Sequence, residues 1–307
     1  MSSITPPVIV ETDEMIAGAT AKDRRAPRVR RRSDRSVGAS VALHATLLLA
    51  TFIALFPMAW VVLSSFKPAS EIRRSDIQFV VDPTLENYRK VLFDTNFPTW
   101  FLNSLVVAAF TMVIGIAMAA TAGYALSRFN FPGKRGLMWV FLITQMFPVA
   151  ILIVPIYTIM AKAGLIDTKA SLVIAYCTVA VPFCAWMLRG YFDTIPKELD
   201  EAAALDGLGP FGTFWRVILP LARPGLAVTA FYTFLTAWGE VAYAIAFMQS
   251  DDHYTLGAGL QQFVPQFSPR WELLTAGAVL ITIPAAIVFF FAQKHLVAGL
   301  TAGGTKG

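Results

Sequence analysis

Apolar runs of about 20 residues alternate along this chain with short charged stretches. A helix rises 1.5 Å per residue, so about 20 apolar residues cross a hydrocarbon core of about 30 Å. The pattern predicts six such helices: about Val41–Phe66, Trp100–Leu126, Leu137–Met160, Ser171–Leu188, Gly225–Met248 and Leu273–Gln293. Helices satisfy their backbone hydrogen bonds internally, which is the condition for crossing lipid. The predicted fold class is therefore all-α, a polytopic membrane protein with six transmembrane helices. The first run is preceded by about 40 residues and followed by no small-residue cleavage site, so it reads as a span and not as a signal peptide.

This pattern divides the chain into a basic tail (1–39) expected to be disordered, a first transmembrane helix (40–66), an external segment (67–99), a core (100–293) and a glycine-rich end (294–307). Within 67–99, the stretch Asp82-Pro83-Thr84-Leu85-Glu86-Asn87-Tyr88 predicts a turn leading into a short helix. Phe131-Pro132-Gly133 predicts a turn between the second and third spans. The last external segment, Gln249–Glu272, carries Gln261, Gln262, Phe263, Pro265 and Phe267.

Composition agrees: 56% of residues are hydrophobic and 15% charged, with a mean hydropathy of +0.60, where a soluble domain carries about 25% charged residues. The placement of the 25 Lys and Arg residues is more informative than their number. On one side fall Lys22, Arg24, Arg25, Arg28, Arg30, Arg31, Arg32 and Arg35 of the tail, with Arg128, Lys134, Arg135, Arg189, Lys197, Arg216, Arg223, Lys294 and Lys306. On the other fall Lys67, Arg73, Arg74, Arg89, Lys90, Lys162, Lys169 and Arg270. The positive-inside rule then predicts that both termini are cytoplasmic. The basic tail is expected to lie near anionic membrane lipid; no nucleic-acid-binding fold accompanies it, so no nucleic acid is expected as a partner.

Enzyme chemistry has little to stand on. Gly133-Lys134 lacks the earlier glycine and the hydroxyl of a nucleotide-binding loop, and no Gly-x-Ser-x-Gly or His-Glu-x-x-His occurs. His44, His253 and His295 are scattered and form no metal-ligand spacing, so no cofactor and no metal are expected. Cys177 and Cys184 are seven apart on one helix, about 10.5 Å of rise, too far for a disulfide, and read as packing residues. Glu240, in Trp238-Gly239-Glu240, is the single acid that falls inside a predicted span. It either faces a cavity or sits wet near the outer interface.

The loop 189–223 is the most informative stretch. Pro196-Lys-Glu-Leu-Asp-Glu-Ala-Ala-Ala-Leu-Asp-Gly207 predicts a short helix, with Thr194 as its cap and Glu198, Asp200 and Glu201 at its positive end. Asp206-Gly207 ends it, and Gly209-Pro210 prevents continuation. A second helix follows with Phe211, Phe214 and Trp215 on one apolar face, ended by Pro220. A small-residue helix followed by an aromatic face suits either a groove in a soluble partner or the lipid surface.

The spacing Glu201-Ala202-Ala203, Gly207, Val217, Leu219-Pro220 resembles the EAA motif of binding-protein-dependent ABC importer permeases, with Val217 where that motif usually has Ile. The resemblance runs from about the first span to the C-terminus and implies a type I ABC importer transmembrane domain. Tyr254-Thr255-Leu256, Gly259–Phe263 and the ending Gly299–Gly307 are similar to the maltose/maltodextrin permeases of this family. It implies a transport subunit and not an enzyme, coupled to its ATPase through Glu201, Ala202, Ala203, Asp206, Gly207, Leu219 and Pro220. The implied partners are a second homologous permease subunit, two copies of a cytosolic ABC ATPase that hydrolyses ATP, and an extracellular solute-binding protein. It further implies that Gln261, Gln262 and Phe263 meet the binding protein and that Gly303 and Gly304 reach the ATPase. The implied substrate is a maltose-like oligosaccharide; another solute, such as glycerol phosphate or a different disaccharide, remains the alternative, ahead of a secondary transporter. In the maltose permeases the sugar pocket belongs to the other subunit, so the resemblance assigns no sugar-contacting residue here.

Overall fold

A computed structural model of the chain describes residues 37–72 and 82–303. The tail before Val37 and Gly304 lie outside the described residues. Two units are distinguished, 1–56 and 57–307, with the division inside the first helix at Pro57. In the first unit, α1 (Val37–Ser65) runs with Leu48, Phe52 and Leu55 exposed. A helix apolar all round and unburied suits lipid.

The second unit begins with the end of α1 and with α2 (Ala69–Ile72) and α3 (Glu86–Phe93). The expected turn before α3 is present, and Asn87 secures it: its buried amide donates to the carbonyls of Ser65 (2.9 Å) and Lys67 (2.8 Å). The long helices α4 (Phe97–Arg128) and α7 (Lys169–Phe192) form the central pair. They approach through small residues, with Gly115, Ala119 and Gly123 on α4 meeting Cys177, Cys184 and Ala185 on α7. Lipid offers no hydrophobic drive between helices, so close backbone packing by small residues holds such pairs together. Cys177 and Cys184 are free and buried in this seam, as their spacing predicts.

Between them, α5 (Lys134–Thr144) and α6 (Val149–Lys162) meet at 108°. The straight third span expected over Leu137–Met160 is thus broken at Gln145–Pro148, where Pro148 has no N–H to continue the helix and restricts the residue before it. After the loop helices α8 (Glu198–Leu205), α9 (Pro210–Thr213) and α10 (Leu219–Leu221) come α11 (Arg223–Trp238), α12 (Ala242–Phe247), α13 (Leu256–Gln261) and α14 (Trp271–Gly303). The expected fifth span, Gly225–Met248, is likewise interrupted, at Gly239–Val241. Among the described residues, four helices are long and apolar enough to cross a membrane by themselves, and the number rises to six if each of two bent pairs forms one span.

Buried residues gather at three levels. Trp100, Leu256 and Phe263 close one end, Tyr176, Phe234 and Tyr243 fill the middle, and Leu188, Phe192, Phe214 and Ile218 close the end that holds α8.

Candidate functional site

The loop after α7 folds as two short helical pieces about a glycine turn. Lys197, not Thr194, stands at the cap position of α8, with no side-chain cap bond. The Thr194 hydroxyl instead donates to the Tyr191 carbonyl (2.7 Å), closing the end of α7. The acidic first turn, Glu198, Asp200 and Glu201, offsets the helix dipole in its place. At the far end Gly207 has φ +83°, a region open to glycine. Its N–H donates to Ala204, and that of Leu208 to Ala203, which is how a left-handed residue closes a helix C-terminus.

The two faces of α8 differ. Ala203 is 4% exposed, turned onto the bundle, whereas Glu201, Ala202, Asp206 and Gly207 are exposed and Leu205 is 90% exposed. The expectation that Ala203 offers its small side chain to a partner is therefore corrected: its methyl packs within its own chain, because it sits two positions from the outward Glu201 and Leu205 on a helix turning about 100° per residue.

A residue that sequence reasoning missed anchors α8. Arg128, the last residue of α4 and 6% exposed at its side chain, forms an ion pair with Asp200 (Nε–Oδ2 2.9 Å). Its remaining guanidinium N–H groups donate to the carbonyls of Phe192 and Ile195 (3.0 Å each). The Tyr124 hydroxyl donates to the other Asp200 oxygen (3.1 Å), and the Ser127 hydroxyl to Asp193 (2.6 Å). Three elements thus meet at one buried cation. A cavity of about 290 Å³ beside it is lined by Tyr124, Arg128, Lys197, Asp200, Glu201 and Pro210.

Past Gly207, Pro210–Thr213 leads into a π-helical turn at Phe214–Ile218 and then α10. The expected single aromatic face is split. Phe214 is buried against Tyr124, with ring centroids 4.9 Å apart, while Phe211 and Trp215, four apart, share the outer side at 75% and 61% exposure. Pro220 does not end the helix; the break comes at Ala222, where the chain bends by 82° into α11. Leu219 is half-buried and Pro220 exposed.

The other candidate residues lie apart from this loop. Gln261 and Gln262 are exposed, but Phe263 is 1% exposed, its ring tilted against that of Trp100 with centroids 5.7 Å apart, under the Arg270 guanidinium. Phe263 is a core residue, which corrects its assignment to an outer contact; Phe267, at 91% exposure, is the aromatic that faces out. The segment before α13 is held by Asp167, itself at φ +62°. Its carboxylate accepts from the N–H groups of Gln249 and Ser250 and from the Ser250 hydroxyl, and pairs with His253. Burial pushes this carboxyl up, but the hydrogen bonds from Ser250, Gln249 and His253 outweigh it and hold it well below the usual carboxylate range. Glu240 stands at the break between α11 and α12 and lines a cavity. Gly303 is the last residue of α14.

Comparison with known proteins agrees with this architecture. Residues 112–302 match the family described as binding-protein-dependent transport system inner membrane component. The maltodextrin transport system permease protein MalD of Streptococcus pneumoniae is 34% identical over 258 residues, 84% of this chain and 92% of that protein. The corresponding permease MdxG of Bacillus subtilis is 34% identical over 269 residues, covering 87% and 96%. A subunit of a bacterial ABC transporter involved in alginate import shares the fold, with a TM-score of 0.73 at 23% identity over 85% of this chain and 98% of that one. The chain is therefore a multi-pass membrane protein that belongs to the family of inner membrane components of binding-protein-dependent transport systems.

Proposed function

We propose that the chain is one of two membrane subunits of an ATP-driven importer of oligosaccharides, a maltodextrin-like sugar being the first candidate. ATP hydrolysis resides in a separate cytosolic ATPase, and a solute-binding protein delivers the sugar from outside. The substrate class is taken from the relatives, two of which are maltodextrin permeases similar over most of both chains. The cytoplasmic placement of both termini and of the 189–223 loop rests on the distribution of Lys and Arg.

One observation carries the coupling role: α8 is exposed on its outer face yet tied to the end of α4 by a buried Arg128–Asp200 pair. A partner that grips Glu201, Ala202, Leu205, Asp206 and the Phe211–Trp215 side would move α4 along with α8. Gly207 sets the angle between the gripped helix and the aromatic segment, and Leu219-Pro220 carries the push toward α11. Ala203 contributes from beneath by letting α8 lie close to the bundle. The partner's motion then turns the spans between inward-open and outward-open states. Gln261 and Gln262 are the surface for the binding protein, and the Gly303-Gly304 end reaches the ATPase.

The test is uptake of labelled maltotriose and other oligosaccharides by proteoliposomes holding the chain with its sister subunit and ATPase. Uptake that needs ATP and the binding protein is expected, and Leu205→Asp should release the ATPase on purification. Uptake by the chain alone, without ATP or binding protein, would contradict the reading.

A further inference from the structure

The interruption between α11 and α12 is a constructed feature. Trp238 ends one helix and Ala242 begins the next, and the Glu240 carboxylate between them accepts the N–H groups of Tyr243 (2.9 and 3.1 Å) and Ala244 (3.2 Å). The break is also held from behind. A Cβ on Gly257 of α13 would lie 2.6 Å from the Glu240 carbonyl oxygen, so the two backbones touch there. Non-helical backbone at membrane depth is tolerated where it is buried in protein or lines a cavity. The 16 residues of α11 rise about 24 Å, against a core of about 30 Å, so the break lies in the half of the membrane far from the 189–223 loop.

It opens on a cavity of about 500 Å³ lined by Tyr176, Val179, Thr236, Glu240 and Tyr243, among others. Small-ligand sites run from about 300 to 1,000 Å³. Two of its lining groups are buried without partners: Tyr176 and Tyr243 are 1% and 0% exposed, and neither hydroxyl has a hydrogen-bond partner among the described residues. Tyr176 lies close enough to the Glu240 carboxylate to interact with it, but no hydrogen bond of normal length joins the two. Buried hydroxyls are bonded in the large majority of cases, so two orphans around one carboxylate require an account. Glu240 has no cation within ion-pair distance among the described residues, so its remaining acceptor capacity is not spent on a salt bridge.

The donor set selects a ligand class. A carboxylate repels phosphate, and a single carboxylate already accepting backbone N–H bonds is a poor cage for a metal ion. A carboxylate that accepts, two phenols that donate and accept, and two aromatic rings with centroids 6.4 Å apart suit a neutral polyol with apolar C–H faces. We propose that this cavity is a sugar-hydroxyl subsite on the transport path, in which Glu240, Tyr176 and Tyr243 hold one glycosyl unit. A hydroxyl placed between Glu240 and Tyr176 completes both. This rests on the reading of the chain as a sugar permease.

The experiment uses the reconstituted complex with its binding protein, ATP and labelled maltotriose, in wild type and in Glu240→Gln, Tyr176→Phe and Tyr243→Phe. Each tyrosine variant should raise the KM for uptake or lower its rate about three- to tenfold, and Glu240→Gln about tenfold or more. In the absence of sugar, the two Phe variants should melt at or above the wild-type temperature, because they remove an unpaired buried hydroxyl. A merely structural role for these hydroxyls would instead lower the melting temperature and leave the uptake of the surviving protein unchanged; that outcome overturns the proposal. So does wild-type uptake in all three variants while wild type transports sugar. If wild type takes up no sugar of any kind in the full complex, the permease reading fails first and the subsite with it.

Discussion

Two acids in this chain, Asp200 on α8 and Glu240 at the break after α11, are each half-buried and each bonded, yet in opposite ways. Asp200 faces a buried guanidinium that also gathers the Phe192 and Ile195 carbonyls. Glu240 accepts the backbone N–H groups of Tyr243 and Ala244 and looks onto open volume. The first is a latch: its charge is answered within the chain, and its geometry ties α8 to the end of α4. The second keeps unanswered capacity in a place where the backbone has been opened for it. An acid in an apolar sequence is thus informative only once its partner is known.

The largest effect should come from unlatching. Arg128→Ala leaves Asp200 without its cation and two carbonyls without donors, a loss of about 3–5 kcal/mol for a broken buried pair. Thermal melts in detergent, with limited proteolysis across residues 193–209, should show the loop cut before the bundle unfolds. The two acids themselves should separate next. Asp200→Asn strands Arg128 and should cost about 2 kcal/mol or more, whereas Glu240→Gln retains an oxygen for the Tyr243 and Ala244 N–H groups and should cost under about 1 kcal/mol. Equal melting temperatures for these two variants would erase the distinction drawn here. Smaller again, Gly207→Ala forces a Cβ into the left-handed region at about 1–2 kcal/mol. Nothing else lies within 4 Å of that Cβ, so the effect is backbone strain alone. It should show as a loosened α8 in hydrogen exchange.

Asp167 offers the gentlest comparison, a carboxylate answered by N–H and O–H donors on the outer segment. Its folded pKa is depressed, so the stability it contributes is present above the unfolded carboxylate value of about 3.9 and is lost as pH falls through the lower folded value. The melting difference between wild type and Asp167→Asn should therefore be constant from neutral pH to about pH 5 and shrink only below about pH 4.

The apolar periodicity made the helical spans legible, and Gly207 announced its turn because few other residues take that backbone. The breaks were harder to read. Gln145–Pro148 and Gly239–Val241 sit inside apolar runs, where hydropathy registers length but not direction. The Arg128–Asp200 latch joins residues remote in sequence, so no spacing could betray it; a lone Arg closing a long apolar helix is the one hint. Ala203 and Phe263 carry the opposite lesson. Ala203 lies on α8 and Phe263 in the turn just after α13, and both are buried, because which side of a short segment faces the bundle is set by packing and not by the motif.

That burial allows the most direct test of the account, which is that the outer face of α8 is the grip for an ATPase. With Cys177 and Cys184 replaced, single cysteines at Leu205 and Ala203 would be treated in membrane vesicles with a short bifunctional thiol reagent, in the presence of the cytosolic ATPase carrying its own cysteines. The account predicts that Leu205→Cys crosslinks to the ATPase and that Ala203→Cys, turned onto its own bundle, does not. Crosslinking from Ala203→Cys alone, or from neither while uptake remains ATP-driven, would contradict it.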